Sequence, residues 1–382
     1  MQIGFEAKRV FQNTTGLGNY ARNLIDTLSI YAPENQYHLF APKQTDLFHI
    51  ENYQNVSLHL PVAYLHKKLT SYWRTRGVTQ DIARQKLDIY HGLSFELPMG
   101  IEKLPLAKVV SVHDLIYERY PAQYNPIDVI ISRKKTKHAC HIADVVAAMS
   151  EQTKKDLIKY YNIPSSKIVV TYQSCDEGFL IKKNENELAA VKSKYNLPET
   201  FFLYVGSVIE RKGLLKICQA LTSAAEKIPL AVIGKGSGQY YKKVKEFIVE
   251  NKMQSQIIFL NEQPNAHDTG FVSGKDFPAI FQSAIALIYP SAFEGFGIPV
   301  LEGISSGIPV ITGNVSSLPE AGGKAAIYIN PSDENEIANA MQQILNDKIL
   351  CERLSAEGQL HAQKFTKEKI AVQMTELYKS LI

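Results

Sequence analysis

The strongest constraint on the fold is an alternation of short apolar segments with helical patterns, which runs along the chain twice. The first half contains "IGFEA", "YHLFAP", "VSLHLPV", "DIYHGL", "KVVSVHD", "DVVAAMS" and "KIVVTYQ". The second half repeats the pattern with "FFLYVGS", "LAVIGKG", "QIIFL", "AIALIYPS", "PVITGN" and "AAIYIN". Strands that alternate with helices indicate right-handed crossover units and parallel sheets covered on both faces. The pattern therefore predicts an α/β protein with two doubly wound domains.

The domain boundary is expected in a charged segment without strand character, "CDEGFLIKKNENELAAVKSKYNLPET". We predict an N-terminal domain over residues 1–180, a C-terminal domain over 181–365 and a final amphipathic helix over 366–382. The 382 residues suit two cores better than one. Open parallel sheets bind ligands beyond the carboxyl ends of their strands, so two such domains are expected to face a central cleft.

Composition narrows the class of protein. The chain is 45% apolar and 21% charged, with four scattered cysteines, which argues against disorder and against a disulfide framework. No signal peptide and no membrane-spanning run are visible, so a cytoplasmic location is expected, without a nucleic acid partner. All of the excess positive charge lies in the first 180 residues, mainly in segments 66–86 and 132–141. With Tyr72 and Trp73, these helical segments form either a solvated face or a surface for an anionic membrane or a phosphorylated acceptor.

A turn in the segment "SAFEGFGIPVLEGISSGIPVITGN", residues 291–314, predicts an anion site. The preceding "AIALIYPS" is a buried strand, and Pro299 suits the first turn of the helix that follows. Gly295, Phe296 and Gly297 therefore approach a helix N-terminus, where open backbone N–H groups and the helix dipole favour a phosphate. The turn is suited to a diphosphate.

Two carboxylates, Glu294 and Glu302, flank this turn. Glu302 is expected in the first turn of the helix, where it can also match the helix dipole. A loop carboxylate such as Glu294 is unfavourable beside an anion unless it binds something else. Because carboxylates accept hydrogen bonds from neighbouring hydroxyls, the pattern predicts a nucleotide sugar, with one acceptor for the ribose and one for the transferred sugar.

The spacing in "EGFGIPVLE" resembles the signature of the retaining family 4 glycosyltransferases, which have the two-domain, Rossmann-like GT-B architecture. The resemblance extends over nearly the whole chain, and "YVGSVIERKGLLKICQAL" matches the first strand of the family's C-terminal domain. It implies that Arg211 and Lys212 stabilise the leaving nucleoside diphosphate. It also implies that Glu294 binds the transferred sugar and Glu302 the ribose.

The resemblance extends to two further glycine loops. In "VIGKGSG" it places Gly234 and Lys235 beside the nucleotide pocket. In "NTTGLGNYARNLIDTLS" it places Gly16 and Gly18 against the donor phosphates. The chain departs from the family pattern at 261–269, where "NEQPNAHDT" is interposed next to the expected nucleoside pocket.

Histidines end two strands of the first half. From the residues alone, His113 and Asp114 in "KVVSVHDLIYERYP" suit either a metal ligand pair or a general base. The family resemblance implies instead that His113 is an active-site hydrogen-bonding residue near the transferred sugar, with Asp114 on the acceptor side. His91 in "IYHGLSFELP" is likewise predicted on the acceptor side.

The resulting prediction is a retaining, metal-independent hexosyltransferase without a cofactor. Its donor is GDP-mannose or a UDP-sugar, and its acceptor is a glycan or a lipid-linked sugar in cell-envelope polysaccharide synthesis, with peripheral contact at the inner membrane face. The chain has no Asp-x-Asp motif that would hold a divalent metal. A nucleotide-sugar epimerase, a glycosyl phosphorylase of the same architecture and a non-catalytic sugar-nucleotide-binding scaffold remain as alternatives.

Overall fold

The computed structural model describes residues 1–224 and 226–382 and divides the chain into two compact units. The first unit contains Met1–Ser174 together with Lys367–Ile382, and the second contains Cys175–Thr366. The boundaries predicted from the sequence lie after residues 180 and 365. Each unit is built on one parallel sheet with helices between successive strands, which confirms the predicted fold class.

The first unit contains a seven-stranded sheet with the strand order β3-β2-β1-β4-β5-β6-β7. Every pair of neighbouring strands in this sheet is parallel. The strands are β1 (Gln2–Glu6), β2 (Gln36–Phe40), β3 (Val56–His59), β4 (Ile89–Gly92), β5 (Ala107–Val112), β6 (Val145–Ala148) and β7 (Ile168–Val170).

The second unit contains a six-stranded parallel sheet with the order β10-β9-β8-β11-β12-β13. Its strands are β8 (Phe202–Val205), β9 (Leu230–Ile233), β10 (Ile257–Phe259), β11 (Ala286–Tyr289), β12 (Val310–Gly313) and β13 (Ala326–Ile329). Each of the thirteen strands coincides with an apolar segment predicted as a strand. The prediction works because strands buried on both faces are continuously apolar.

Helices connect the strands and cover the sheets. In the first unit they are α1 (Lys8–Gln12), α2 (Gly16–Tyr31), α3 (Tyr64–Lys68), α4 (Thr70–Tyr72), α5 (Val78–Ala83), α6 (Ile116–Arg119), α7 (Pro126–Ile142) and α8 (Glu151–Tyr161). In the second they are α9 (Glu185–Lys194), α10 (Leu214–Ser223), α11 (Gly238–Glu250), α12 (Thr269–Ser273), α13 (Phe277–Ser283), α14 (Ile298–Ser305), α15 (Leu318–Gly322), α16 (Glu334–Asn346) and α17 (Lys348–Ala362). The final helix, α18 (Lys367–Lys379), returns to the first unit.

Helix α18 is bound to the first unit by its apolar face and by polar contacts. Its side chains Ile370, Met374 and Tyr378 are buried in the core that also contains α2. Lys367 Nζ forms an ion pair with Asp26 Oδ2 of α2 at 2.8 Å. An amphipathic helix of this kind is stabilised mainly by such tertiary packing.

The strand order places a topological switch point in each sheet. In the first unit the chain order reverses between β1 and β4, and in the second unit between β8 and β11. Open α/β sheets bind ligands outside the carboxyl ends of the strands at such points. Functional side chains are therefore expected just after these four strands.

The basic segment 66–86 has the helical character that its sequence suggested, but it is divided among several short helices. It folds as α3, α4, a π-helical turn over Trp73–Gly77 and α5. Trp73 is buried in the core and donates from Nε1 to Asp81 Oδ2 at 2.7 Å. Tyr72 is exposed, so only the tyrosine of the predicted aromatic pair lies on the basic surface.

Candidate active site

Three charged side chains from separate parts of the chain meet at the carboxyl ends of β8 and β11. Arg211 Nη1 donates a hydrogen bond to Glu294 Oε1 at 2.8 Å, and Lys212 Nζ lies 3.7 Å from the same oxygen. The exposed fractions of the Arg211, Lys212 and Glu294 side chains are only 9%, 15% and 14%. The structure thus brings together three residues that the sequence predicted to be catalytic, in a cluster with one excess positive charge.

Two further side chains at the end of β11 hold this cluster, and the sequence prediction missed both. Tyr289 Oη accepts from Lys212 Nζ at 2.8 Å and donates to Glu294 Oε1 at 2.8 Å. Ser291 Oγ donates to Glu294 Oε1 at 2.8 Å. Their position in "IYPS", at a strand end next to the signature motif, was the signal that could have revealed them.

The loop after β8 is held against the loop after β11. Arg211 and Lys212 lie in a one-turn 3-10 helix that ends at Gly213, whose φ is +71°. A Cβ at Gly213 would lie 2.7 Å from the carbonyl oxygen of Pro290, so a larger residue would separate the two loops. Ala292 N donates to the Arg211 carbonyl oxygen at 2.8 Å, which fixes the register of the two loops.

Opposing effects determine the charge of Glu294. Burial raises the pKa of this carboxyl, but the charges of Lys212 and Arg211 and the hydrogen bonds from Ser291 and Tyr289 lower it more. The net pKa lies below the ordinary value of 4.5, so Glu294 is ionised at neutral pH. The cluster therefore presents two cations and one anion to a ligand.

The glycine turn after Glu294 leads into α14. Gly297 has a φ of +115° and precedes Ile298, the first residue of the helix. Ser317 Oγ donates to the carbonyl oxygens of Glu294 and Phe296, each at 2.9 Å. Because the carbonyl oxygens are bound by the protein, the turn suits a ligand that accepts hydrogen bonds from backbone N–H groups.

The side chain of Phe296 lies in the core rather than at the surface of the turn. It is 3% exposed, and its ring centroid lies 5.5 Å from that of Phe365. Its predicted donor-binding role therefore belongs to its backbone. Gly295 and Gly297, which lack side chains, leave the same stretch of backbone open to close approach.

Glu302 is the fifth residue of α14, so it lies in the second turn and not in the first turn as predicted. The helix begins at Ile298 with Pro299 in its first turn, as predicted, so Glu302 was misplaced by only about one residue. Burial, reinforced by the nearby Asp176 and opposed by Lys212, raises the pKa of Glu302 to about 8. This carboxyl is therefore mostly protonated at neutral pH and cannot be explained as a residue that matches the helix dipole.

We expect Glu302→Gln to reduce the pH dependence of stability. The folded pKa of about 8 lies above the unfolded value of 4.5, so folded wild-type protein binds an extra proton between these values and loses stability as pH rises through them. Glutamine does not bind or release a proton in this pH range. Thermal denaturation from pH 5 to 8 should show the variant gaining stability relative to wild type as pH increases. Glu246→Gln, at an exposed position of α11, is the control, and parallel curves for Glu302→Gln and wild type would contradict the assignment.

The loop after β9 contains the predicted donor-binding pair Gly234 and Lys235. A Cβ at Gly234 would lie 1.9 Å from the carbonyl oxygen of Gly206, so the loops after β8 and β9 touch through their backbones. Gly234 N donates to Asn261 Oδ1 at 2.5 Å. Lys235 is exposed. Asn261 is the first residue of the interposed segment 261–269, which thereby supports the β9 loop.

The glycine loop of the first unit is tied together by one asparagine. Asn13 Oδ1 accepts from Thr15 N at 2.8 Å and from Gly18 N at 3.1 Å. A Cβ at Gly18 would lie 1.9 Å from the Asn13 carbonyl oxygen, whereas a Cβ at Gly16 would meet nothing within 4 Å. Gly18 is thus required by the turn, and Gly16 leaves the start of α2 open. Binding of donor phosphates by this loop stays a prediction.

His113 is neutral in the folded protein. Its Nε2 lies 3.0 Å from the Leu93 carbonyl oxygen, and since a carbonyl only accepts, Nε2 carries the proton. Burial lowers the pKa of His113 to about 4, with a further contribution from Arg9. Nδ1 is then an acceptor suited to a hydroxyl. Asp114 Oδ1 accepts from Ile116 N at 3.0 Å at the start of α6.

His91 is packed in the core of the first unit. Its Nδ1 lies 2.7 Å from Tyr378 Oη, and its Nε2 lies 2.8 Å from Ser111 Oγ. Burial lowers its pKa to about 3, and the side chain is fully buried. Both ring nitrogens are used within the core, which favours a structural role. The prediction that His91 belongs to the acceptor side receives no support from this geometry.

Residues 1–224 and 226–382 contain neither a cluster of metal ligands nor a membrane-spanning helix. Within this range no three His, Cys, Asp or Glu side chains are grouped to hold a metal ion. No helix in the same range has the length and apolar character needed to cross a bilayer. The predicted independence of metals stays a prediction.

Two family models match consecutive parts of the chain. The model described as "Glycosyltransferase Family 4" matches residues 14–178. The model described as "Glycosyl transferases group 1" matches residues 185–361. The two matches correspond to the first and second structural units, and the second contains the Arg211, Lys212 and Glu294 cluster.

Similar proteins and structures agree with the family models. The chain is 28% identical to the O-antigen chain mannosyltransferase B of Escherichia coli, and the match covers all of both chains. It is 26% identical to a serotype-specific mannosyltransferase WbdA of E. coli, where the match covers 72% of this chain and 34% of that one. The crystal structure of Anabaena Alr3699/HepE in complex with UDP and glucose superposes with a TM-score of 0.75 at 17% identity over all of both chains, which shows a shared fold.

Proposed function

Because this chain belongs to the group 1 (family 4) glycosyltransferases of GT-B architecture, we propose that it is a retaining mannosyltransferase that uses GDP-mannose. The acceptor is a hydroxyl of a glycan or lipid-linked sugar in cell-envelope polysaccharide synthesis. The choice of mannose is supported by the names of two relatives, an O-antigen chain mannosyltransferase and a serotype-specific mannosyltransferase. The second unit binds the donor, and the first unit binds the acceptor.

The observation that carries this proposal is the charge cluster at the switch point of the second sheet. Arg211 and Lys212 provide two nearly buried cations beside the glycine turn that begins α14. A diphosphate placed there would be neutralised by both cations and would accept hydrogen bonds from the backbone of the turn. Glu294 would accept hydrogen bonds from the sugar hydroxyls, and Glu302 from the ribose.

The proposed reaction proceeds on one face of the sugar. The bond between the anomeric carbon and the diphosphate oxygen breaks, and its electron pair stays on that oxygen. The acceptor oxygen forms the new bond on the same face, and its proton passes to the departing phosphate. Preorganised cations and N–H groups lower the barrier because negative charge develops where they already lie, an effect worth several kcal/mol.

We expect a nucleotide to stabilise the protein strongly. A ligand at 100 times its Kd contributes about 2.7 kcal/mol, which raises the Tm of a domain of this size by roughly 5 to 10 °C. A thermal-shift series with GDP, UDP, ADP and their sugar conjugates should give the largest rise with GDP and GDP-mannose. A larger rise with UDP would overturn the choice of donor, and no rise with any nucleotide would overturn the proposed function.

The alternative functions make different demands on the substrates. An epimerase would convert the nucleotide sugar without an acceptor, and a phosphorylase would require inorganic phosphate. A scaffold would bind the donor but release no nucleotide under any condition. Incubation of enzyme with donor alone, with donor and a glycan acceptor, and with glycan and phosphate but no donor therefore separates the four functions, since a phosphorylase would release a sugar 1-phosphate only in the last. We expect nucleotide release only with the glycan acceptor.

We propose peripheral membrane binding through the surface formed by residues 62–76, hereafter the 62–76 surface. Its exposed apolar and basic side chains are Val62, Tyr64, Leu65, Leu69, Tyr72, Lys67, Lys68 and Arg76. Apolar side chains that project beside lysines and arginines suit the interface of an anionic bilayer. Attraction of about 1 kcal/mol per basic residue would favour anionic over neutral vesicles by about a hundred-fold.

Leu65→Glu should abolish this binding, because it places a charge at a position that is 67% exposed and would enter the bilayer interface. Sedimentation with phosphatidylglycerol and with phosphatidylcholine vesicles measures the effect. Leu360→Glu, a 75% exposed leucine of α17, is the matched control and should sediment like wild type. Equal sedimentation of the Leu65→Glu variant and wild type would show that the 62–76 surface does not bind membranes.

A further inference from the structure

The first unit contains a polar cavity of about 190 Å³ that the proposed function has not used. Glu6, the last residue of β1, lines it, and so does Ser94, which follows the end of β4. A Cβ at Gly92 would lie 2.0 Å from the Glu96 carbonyl oxygen, so the loop after β4 folds back over the strand end and carries Ser94 to the cavity. We call this the β1–β4 cavity. It lies at the switch point of the first sheet, where open α/β sheets bind ligands.

Two polar side chains of the cavity lack partners in the part of the chain that the structure describes. Ser94 is 3% exposed, and its Oγ has no hydrogen-bond partner there. The Nε2 atom of Gln12 is also buried without a partner. Buried polar atoms are usually bonded, and leaving one unpaired is unfavourable. A hydroxylated ligand in the β1–β4 cavity would satisfy both, since a hydroxyl donates and accepts.

The cavity also has an excess of cations. Lys8, Arg9 and Arg74 face Glu6 and Glu96, and Glu96 forms an ion pair with Arg74 at 2.9 Å. No ion pair formed by the described residues includes Lys8 or Arg9. Burial raises the pKa of Glu6, with Arg74 acting in the opposite direction, and burial lowers the pKa of Arg9. Lys8 and Arg9 interact with Glu6 and Glu96 without forming an ion pair. The three cations exceed the two carboxylates by one charge, so an anion beside Arg9 and Lys8 would be stabilised.

We propose that the β1–β4 cavity binds a sugar ring that carries a phosphate, and that this phosphorylated sugar is part of the acceptor. Ser94 and Gln12 bind ring hydroxyls, and Arg9 with Lys8 binds the phosphate. This inference rests on the proposed function, in which the first unit binds the acceptor. A purely neutral glycan end would leave the excess positive charge of the cavity uncompensated, so it should bind less tightly.

Calorimetric titration of the full chain tests the inference with α-D-mannose 1-phosphate, D-mannose 6-phosphate, methyl α-D-mannoside and inorganic phosphate. One of the two sugar phosphates should bind about ten- to a hundred-fold more tightly than methyl α-D-mannoside or phosphate alone, as expected for a charge-assisted hydrogen bond. Preference for the 1-phosphate would indicate a phosphate at the anomeric carbon, as in a lipid-linked sugar. Preference for the 6-phosphate would indicate a phosphorylated glycan end. No preference for either would overturn the inference.

Variants separate this cavity from the donor site. Arg9→Met should lower the affinity for the preferred sugar phosphate to the affinity for methyl α-D-mannoside. Ser94→Ala should lower the affinities for the sugar phosphate and for methyl α-D-mannoside by the same factor. Two control variants should leave the affinity for the sugar phosphate unchanged. Arg84→Met removes an exposed arginine of the same unit, and Lys212→Met removes a cation of the second unit. Loss of binding in Lys212→Met with retention in Arg9→Met would assign the sugar phosphate to the donor site and overturn the inference.

The same variants keep the two hypotheses distinguishable. Arg9→Met and Ser94→Ala should retain the rise in Tm that GDP produces, because GDP binds the second unit in the proposed function. If GDP stabilises the protein but the sugar phosphates show no preference, the inference fails and the proposed function stands. If no nucleotide stabilises the protein, the proposed function itself fails.

Discussion

Glu294→Gln is expected to lower kcat/KM for mannosyl transfer by about 10²- to 10³-fold, the range measured when one preorganised polar group is removed from an active site. The substitution keeps the volume of the side chain and removes its charge. In the structure Oε1 of Glu294 accepts from Arg211, Tyr289 and Ser291, so the carboxylate both fixes the cations and can accept from the sugar. Steady-state kinetics with varied GDP-mannose measures the effect.

The same variant should also lose stability and recover it with GDP. Removal of one partner from a buried ion pair costs about 3–5 kcal/mol, because the remaining charges are left uncompensated. Arg211 and Lys212 are 9% and 15% exposed, so most of this cost should appear. A bound diphosphate would replace the missing anion, and GDP should therefore raise the Tm of Glu294→Gln more than that of wild type. Unchanged kinetics, or a smaller response to GDP, would contradict the assignment of Glu294.

Arg211→Met is expected to reduce kcat by about 10²- to 10³-fold and to weaken GDP binding, because it removes a cation that stabilises the leaving diphosphate. Arg211 Nη1 also contacts the Phe293 carbonyl oxygen and Ser291 Oγ, so its guanidinium holds the loop after β11. In the variant the pKa of Glu294 should rise, since the Arg211 charge helps to keep it low. Single-turnover kinetics and GDP titration measure the two effects separately.

Arg211→Lys is the informative companion to this variant. It keeps the positive charge but cannot reproduce the planar, multiply bonded guanidinium. We expect GDP affinity close to that of wild type and a reduction in kcat that is smaller than for Arg211→Met. If Arg211→Met binds GDP and turns over like wild type, the cluster at β8 and β11 is not the donor phosphate site.

The sequence was sufficient for the fold because each strand is a continuous apolar segment and each crossover is helical. The segment "AIALIYPS", for example, was read as a buried strand, and all four residues of β11 are buried. Local rules failed where packing decided the outcome. Trp73 was expected on the basic surface of its segment. Its ring is instead buried in the core, and its indole N–H donates to Asp81.

Residues of the candidate site could be predicted only where they belong to a sequence motif. Arg211, Lys212 and Glu294 were named from motifs, but their mutual contacts depend on β8 and β11 being neighbours, which no local pattern shows. Glu302 was predicted in the first turn of α14 but is its fifth residue, although the helix begins beside Pro299 as predicted.

No sequence motif indicated the β1–β4 cavity. Glu6, Arg9 and Ser94 are separated along the chain and meet only through the reversal of strand order between β1 and β4. Their residue types are common at protein surfaces, so their significance appears only from burial and from unpartnered atoms. His91, a strand-end histidine predicted on the acceptor side, uses both ring nitrogens in the core, which only its burial and its partners reveal.

The most direct test of the central claim is the anomeric configuration of the product formed from GDP-α-D-mannose and a mannose-terminated acceptor. Nuclear magnetic resonance of the purified product distinguishes the α from the β linkage, and released GDP is measured in the same reaction. We predict an α-linked product, one GDP for each new bond and a rate about 10²- to 10³-fold lower when Glu294 is replaced by glutamine. A β-linked product, or conversion of the donor without an acceptor, would contradict a retaining mannosyltransferase.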